Sequence, residues 1–173
     1  NRAIDILDAQ KDAGIYWTRD VAEWLNPSKG DFQGDDEKML EFLQNQDPVF
    51  KLLYEAVELP GCNFGLEYNP PSISLVFPRL IEKRELSNLL LLSSRVAAHQ
   101  GRSVDAMKDM SAALTLVDHC SGESSIIKSM VSFHAEDRAF ETFQYLLDRG
   151  LLTADSIKTM HLNSSLSFNA VLH

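Results

Sequence analysis

The sequence predicts an all-α domain of stacked antiparallel helix pairs, an irregular α-solenoid or α-bundle. Three observations predict it. Apolar residues recur at helical rather than strand spacing along most of the chain. Gly14, Gly101, Gly122 and Gly150 fall where those periodic runs stop. Only Ser72-Ile73-Ser74-Leu75-Val76-Phe77 alternates with a two-residue period, and no pairing strand is evident to make a sheet with it.

Ile4, Ile6, Leu7 and Lys11 mark a first helix that stops near Gly14. Thr18 is placed to cap a short helix running to Leu25, where Asn26-Pro27 ends it. Residues 26–35 read as a loop from their glycine, proline and small polar content. Asp35 or Asp36 then caps a helix carrying Met39, Leu40, Phe42 and Leu43. Asp47-Pro48 reads as an N-cap followed by proline at the first helical position, and Val49, Leu52, Leu53, Ala56 and Val57 form one apolar face behind it. Residues 60–73 are irregular, with Pro60, Gly61, Gly65, Pro70 and Pro71. Such a stretch is either packed in its own right or functional.

The second half is more regular. A helix over about 80–99 holds Leu86, Leu89, Leu90, Leu92, Val96 and Ala97, and is apolar nearly all round, as a central helix would be. Ser103 caps the next, with Met107, Met110, Leu114 and Val117 on one face. Ser124 or Ser125 opens a long helix with Ile126, Met130, Phe133, Phe140, Phe143, Leu146 and Leu147, closed by Gly150. Thr153 caps a last helix around Ile157 and Met160, and the signal fades after Asn163. The expected organisation is one domain over 1–173. Acidic helices occupy 1–60, the irregular segment 61–78, and helical hairpins 79–163.

Composition narrows the function. At 45% hydrophobic and 24% charged residues the chain is an ordinary globular protein, which excludes collagen-like, mucin-like and disordered classes. Its net charge is −9, and a phosphate-backbone binder needs a basic face, so nucleic acid is not an expected partner. The acid surplus is concentrated in residues 1–69 (14 acids, 6 bases, net −8), against net −1 for 70–173. Solubility explains this surface; a dock for a basic partner is the sharper reading. No run approaches about 18 apolar residues, so no membrane-spanning segment is expected. Cys62 and Cys120 are too few for a zinc knuckle or a disulfide scaffold; two reduced buried thiols are expected, with a single bridge the alternative in an exported protein.

Residues 88–120 resemble one tetratricopeptide-type helical hairpin. Ser94 is small where the first helix would cross, Gly101 makes the turn, and Ala106 and Ala113 put small residues on the inner face of the second helix. The proline expected after that helix is absent from Asp118-His119-Cys120. From 47 to about 152 the order of motifs also resembles a group of uncharacterised bacterial helical proteins. The matching elements are Cys62-Asn63-Phe64-Gly65-Leu66-Glu67-Tyr68, Arg79-Leu80, Arg84-Glu85-Leu86, the leucine run, Gly101 with Val104-Asp105-Ala106, and Ser125-Ile126-Ile127. Relatives often carry Asp and Trp where this chain has Asn63 and Phe64. The resemblance implies a tetratricopeptide-like helical domain and no particular activity. It also implies export, since relatives often have a signal or membrane anchor upstream. With the start at Asn1 rather than Met, an extracytoplasmic location is expected, a cytoplasmic one being the alternative.

The binding candidates are Phe64, Glu67, Tyr68, Arg84 and His134. Phe64, Leu66 and Tyr68 alternate and would plug an open end of the helix stack, leaving Glu67 to pair with Arg79 or Arg84. The segment is then a packed lid with one buried ion pair, or the roof of a ligand or peptide pocket. His134, Asp137, Arg138 and Glu141 share one stripe, but no second histidine completes a metal motif and Arg138 would repel a cation. A solvated or inter-helix polar face accounts for them. His99 and His119 fall near helix C-termini, where the dipole favours them. Trp17 and Trp24 read as packing residues. No nucleophile elbow, phosphate-binding loop or dinucleotide fingerprint occurs, so no catalytic residue, metal or cofactor is expected. The expected function is a non-enzymatic helical-repeat module that binds a protein or peptide. The alternatives are a small-molecule-binding or hydrolytic domain, with its pocket under residues 62–68 and Glu67 and His134 as polar groups, and a structural segment of an envelope-associated protein.

Overall fold

A computed structural model describes residues 2–13, 21, 23–26, 37–59, 77–121 and 126–155, with side chains except at 77–81, 83 and 118–132. The fold is all-α: six helices and no strand among the described residues. They are α1 (Arg2–Asp12), α2 (Glu37–Asn45), α3 (Asp47–Val57), α4 (Phe77–His99), α5 (Ser103–Ser121) and α6 (Ile126–Asp148). Val21, Glu23 and Trp24 are also helical, and the turn closes with Leu25 N–H donating to the Val21 carbonyl at 3.1 Å.

α4 is the hub. Leu89, Leu90, Leu91 and Leu92 are all 0% exposed. Four successive helical positions sweep a full turn, so α4 is covered on every side. Each fully buried leucine contributes about 1.5–3 kcal/mol of hydrophobic stabilisation. α4 packs most extensively on α5, α6 packs on both, and α1 reaches α4 from another side. α3 rests on α1 and α5, and α2 on α3. The small residues of the central hairpin let its helices approach closely. Ala106 and Ala113 are buried, and Ser94 Oγ donates to the Ala106 carbonyl at 2.7 Å across the crossing.

Two glycines end helices as the sequence predicts. Gly101 (φ 75°) and Gly150 (φ 63°) take the left-handed conformation that glycine adopts without a Cβ penalty. Each sits in a Schellman turn. Arg102 N–H donates to the Ala97 carbonyl at 2.8 Å and Gly101 N–H to that of Ala98 at 3.0 Å. Leu151 and Gly150 repeat the pattern on Leu146 and Leu147 at 3.0 and 2.9 Å.

Three boundaries differ from expectation. The N-cap of α3 is Gln46, and Asp47 is the first helical residue. Gln46 is the single residue between α2 and α3. Its N–H donates to Leu43 at 2.9 Å and its carbonyl accepts from Val49 and Phe50 at 2.8 and 3.0 Å, so the tight turn sets the cap. Arg102, not Ser103, precedes α5, its carbonyl accepting the Ala106 N–H at 3.0 Å. α4 begins at Phe77 rather than near Leu80. Pro78 is tolerated there because first-turn N–H groups have no intrahelical acceptor. Residues 72–76, the rest of the alternating stretch, lie outside the described residues, as do those beyond 155.

Candidate functional site

A cavity of about 350 Å³ opens between the α2–α3 pair and the turn end of the α4–α5 hairpin. Helical periodicity builds it from one face of each element. α2 contributes Leu40, Leu43 and Gln44; α3 contributes Asp47, Phe50 and Tyr54. α4 supplies Ser93 and Val96, the turn after it Gln100 and Arg102, and α5 supplies Asp105, Lys108 and Asp109. Residues three and four apart share a helix face, so four short stripes meet around one space. Leu43, Phe50 and Val96 are buried and make part of the wall apolar.

Asp109 anchors the polar end. It is only 4% exposed, yet no arginine or lysine forms an ion pair with it among the described residues. Its carboxylate instead accepts a hydrogen bond from the Tyr54 hydroxyl and one from Ser93 Oγ at 2.6 Å. Burial pushes the Asp109 carboxyl above its ordinary range, and the two hydroxyl donors work against that rise. The Tyr54 hydroxyl is pushed upward too, first by burial and then by the neighbouring charge of Asp109. Tyr54 therefore stays a protonated donor at neutral pH. Its ring stacks on Phe50, centroids 6.4 Å apart with planes inclined 21°, and Lys108 Nζ lies 4.6 Å from the Tyr54 ring centroid. At the rim Arg102 pairs with Asp105 at 2.8 Å and donates to Gln100 Oε1 at 2.7 Å.

Two further buried charges lie elsewhere. Lys11 Nζ reaches Glu85 at 2.5 Å, tying α1 to α4. Arg95, 1% exposed, lies within reach of the Trp24 carbonyl at 3.5 Å and Thr142 Oγ1 at 3.4 Å, and stacks 4.7 Å from the Tyr145 ring centroid. Burial lowers its pKa to about 10, which leaves it a cation at neutral pH. His99 Nε2 meets the Tyr145 hydroxyl at 2.7 Å, so packing against α6 holds this histidine, beyond the helix-end preference read from sequence.

Of the sequence-predicted binding residues, Phe64, Glu67 and Tyr68 lie outside the described residues, and so does the pocket expected under 62–68. Arg84 is half-buried on α4 and His134 is exposed on α6; neither lines the cavity. The His134 stripe is partly an ion-pair face, with Arg138 Nη1 3.3 Å from Glu141. The side chains of Cys62 and Cys120 are also outside the described residues. Sequence reading did not single out Tyr54, Ser93 or Asp109. A signal was present: Asp109 falls between Ala106 and Ala113 on the buried face of α5, a polar residue inside an apolar stripe.

Among the described residues no group of three or more His, Cys, Asp or Glu side chains is placed to hold a metal ion, and no helix is long and apolar enough to cross a membrane. Comparison with protein-family models, curated proteins and solved structures finds no match to this chain.

Proposed function

We propose that the chain is a helical protein- or peptide-interaction module and that the α2–α5 cavity is its docking groove. The observation that supports this most is the composition of the wall. Leu43, Phe50 and Val96 offer apolar contact, while Asp105, Asp109, Ser93 and Gln100 offer hydrogen-bonding groups around the same opening. An apolar surface with a few fixed polar groups is what anchoring one or two partner side chains requires. The close α4–α5 crossing at Ser94 and Ala106 supports reading this hairpin as tetratricopeptide-like, a type of unit that presents such grooves. The hydroxyls of Tyr54 and Ser93 both donate to Asp109, which fixes that carboxylate at the polar end of the cavity as an acceptor for a partner's donor group.

Peptide display against the immobilised full chain tests the reading. Peptides should be enriched, and Leu40→Glu, at a half-buried position on the cavity wall, should weaken them about tenfold or more while circular dichroism stays helical. No enrichment over an unrelated helical protein, or binding indifferent to Leu40→Glu, would exclude the groove.

A further inference from the structure

We infer that the cavity is a receptor for a cationic side chain, an arginine or lysine of the partner, and that Lys108 occupies this receptor while the partner is absent. The inference rests on the docking reading above and names what that groove selects. Leu43, Phe50 and Val96, which suit an apolar stem, line the cavity with the carboxylates Asp47 and Asp109, neither of them ion-paired among the described residues, and with Asp105, which Arg102 already engages. Arginine and lysine combine an apolar stem with a charged head in this way.

The cations already present point the same way. Arg102 is engaged by Asp105 at 2.8 Å and by Gln100, so it is not held ready for an incoming anion. Lys108 is exposed and its ammonium stands over the Tyr54 ring, 4.6 Å from the centroid. A ring face beside a buried carboxylate is a cation site, and Lys108 is the tethered cation that uses it. Because its side chain is exposed, it can swing into solvent when a better-placed ammonium or guanidinium arrives. The chain's acid surplus, net −9, favours approach of a basic partner.

The test uses the full chain and three small probes that differ mainly in charge: n-butylguanidinium, pentanoate and 1-pentanol. Binding is followed by amide chemical shifts in ¹⁵N-labelled protein. Butylguanidinium should shift Tyr54, Ser93 and Lys108, and pentanoate and pentanol should bind less. Lys108→Gln should tighten butylguanidinium about three- to tenfold by removing the competitor. Asp47→Asn, at an exposed position that leaves the core intact and every ion pair among the described residues in place, should weaken it by a similar factor. Pentanoate bound as tightly as butylguanidinium, weaker butylguanidinium binding in Lys108→Gln, or no shift at Tyr54 and Ser93 overturns the inference. Displayed peptides that dock in the groove without a basic residue overturn it too, while leaving the docking reading standing. Butylguanidinium in the cavity with no peptide enriched supports the cation receptor and overturns the docking reading alone.

Discussion

Arg95 and Asp109 are opposite charges buried in the same hairpin, and the two sites differ in what surrounds them. Neither pairs with an opposite charge among the described residues; each is held by neutral groups. Around Arg95 these are a carbonyl, a hydroxyl and a ring face at 3.4 to 4.7 Å, sealed between α4, α6 and the turn at Trp24. Around Asp109 they are two hydroxyls, with Ser93 at 2.6 Å, and both donors also line a cavity open to solvent. A sealed charge with long contacts works as cement between helices. A charge held by two hydroxyls that line an opening is the one on which the proposed docking reading depends.

The contrast can be broken by mutation, and the largest effect is expected at Arg95. Arg95→Ala removes the charge and its buried stem together and should cost about 3–5 kcal/mol in denaturant unfolding. Arg95→Met restores most of the stem. If packing rather than charge is what α4 and α6 share, it should recover more than half of that loss. Leu90→Ala provides the uncharged yardstick in the same core and should cost about 2–5 kcal/mol. A loss below about 1 kcal/mol would contradict the hub position of α4.

At the other site the effects should be smaller and should show in protonation. Tyr54→Phe removes one donor to Asp109 and should cost about 1–2 kcal/mol. It should also raise the Asp109 pKa further, measured by carboxyl NMR titration, because that donor favours the charged form. Since the folded chain holds the Asp109 proton more tightly than the unfolded chain, stability falls as pH rises from the ordinary carboxylate range through the raised folded value. In urea titrations at stepped pH, wild type should lose stability relative to Asp109→Asn across that window. The smallest effect belongs to the turn beside the cavity. Gly101→Ala meets no atom within 4 Å, so only the positive φ opposes it, at about 1 kcal/mol.

The helices were legible because they leave two independent marks, an apolar stripe and a stop. Leu89 to Leu92 announced the hub, and Gly101 and Gly150 announced the ends of α4 and α6. Caps were less legible. Asp47 and Ser103 are good capping residues by type, but each follows a tight turn whose backbone assigns the cap one residue earlier. The site was hardest to see, because it comes from the meeting of four helices, and periodicity within one helix does not state which other helix it faces. Arg95 and Asp109 are visible in hindsight as charges on apolar stripes. Of their partners, Trp24, Thr142 and Tyr54 come from elements far apart in sequence, and Ser93 from the other arm of the same hairpin.

Gln46 joins the two helices that form one side of the groove, and it is the only residue between them. A linkage this short forbids sliding and leaves α2 and α3 a single elbow on which to pivot. The angle between α2 and α3 is therefore set at one residue, whose N–H and carbonyl are both hydrogen-bonded. The amide protons of Val49 and Phe50, both bonded to the Gln46 carbonyl, are the natural gauges of that elbow. Their exchange with deuterium should slow when an occupant holds the two walls at one fixed opening.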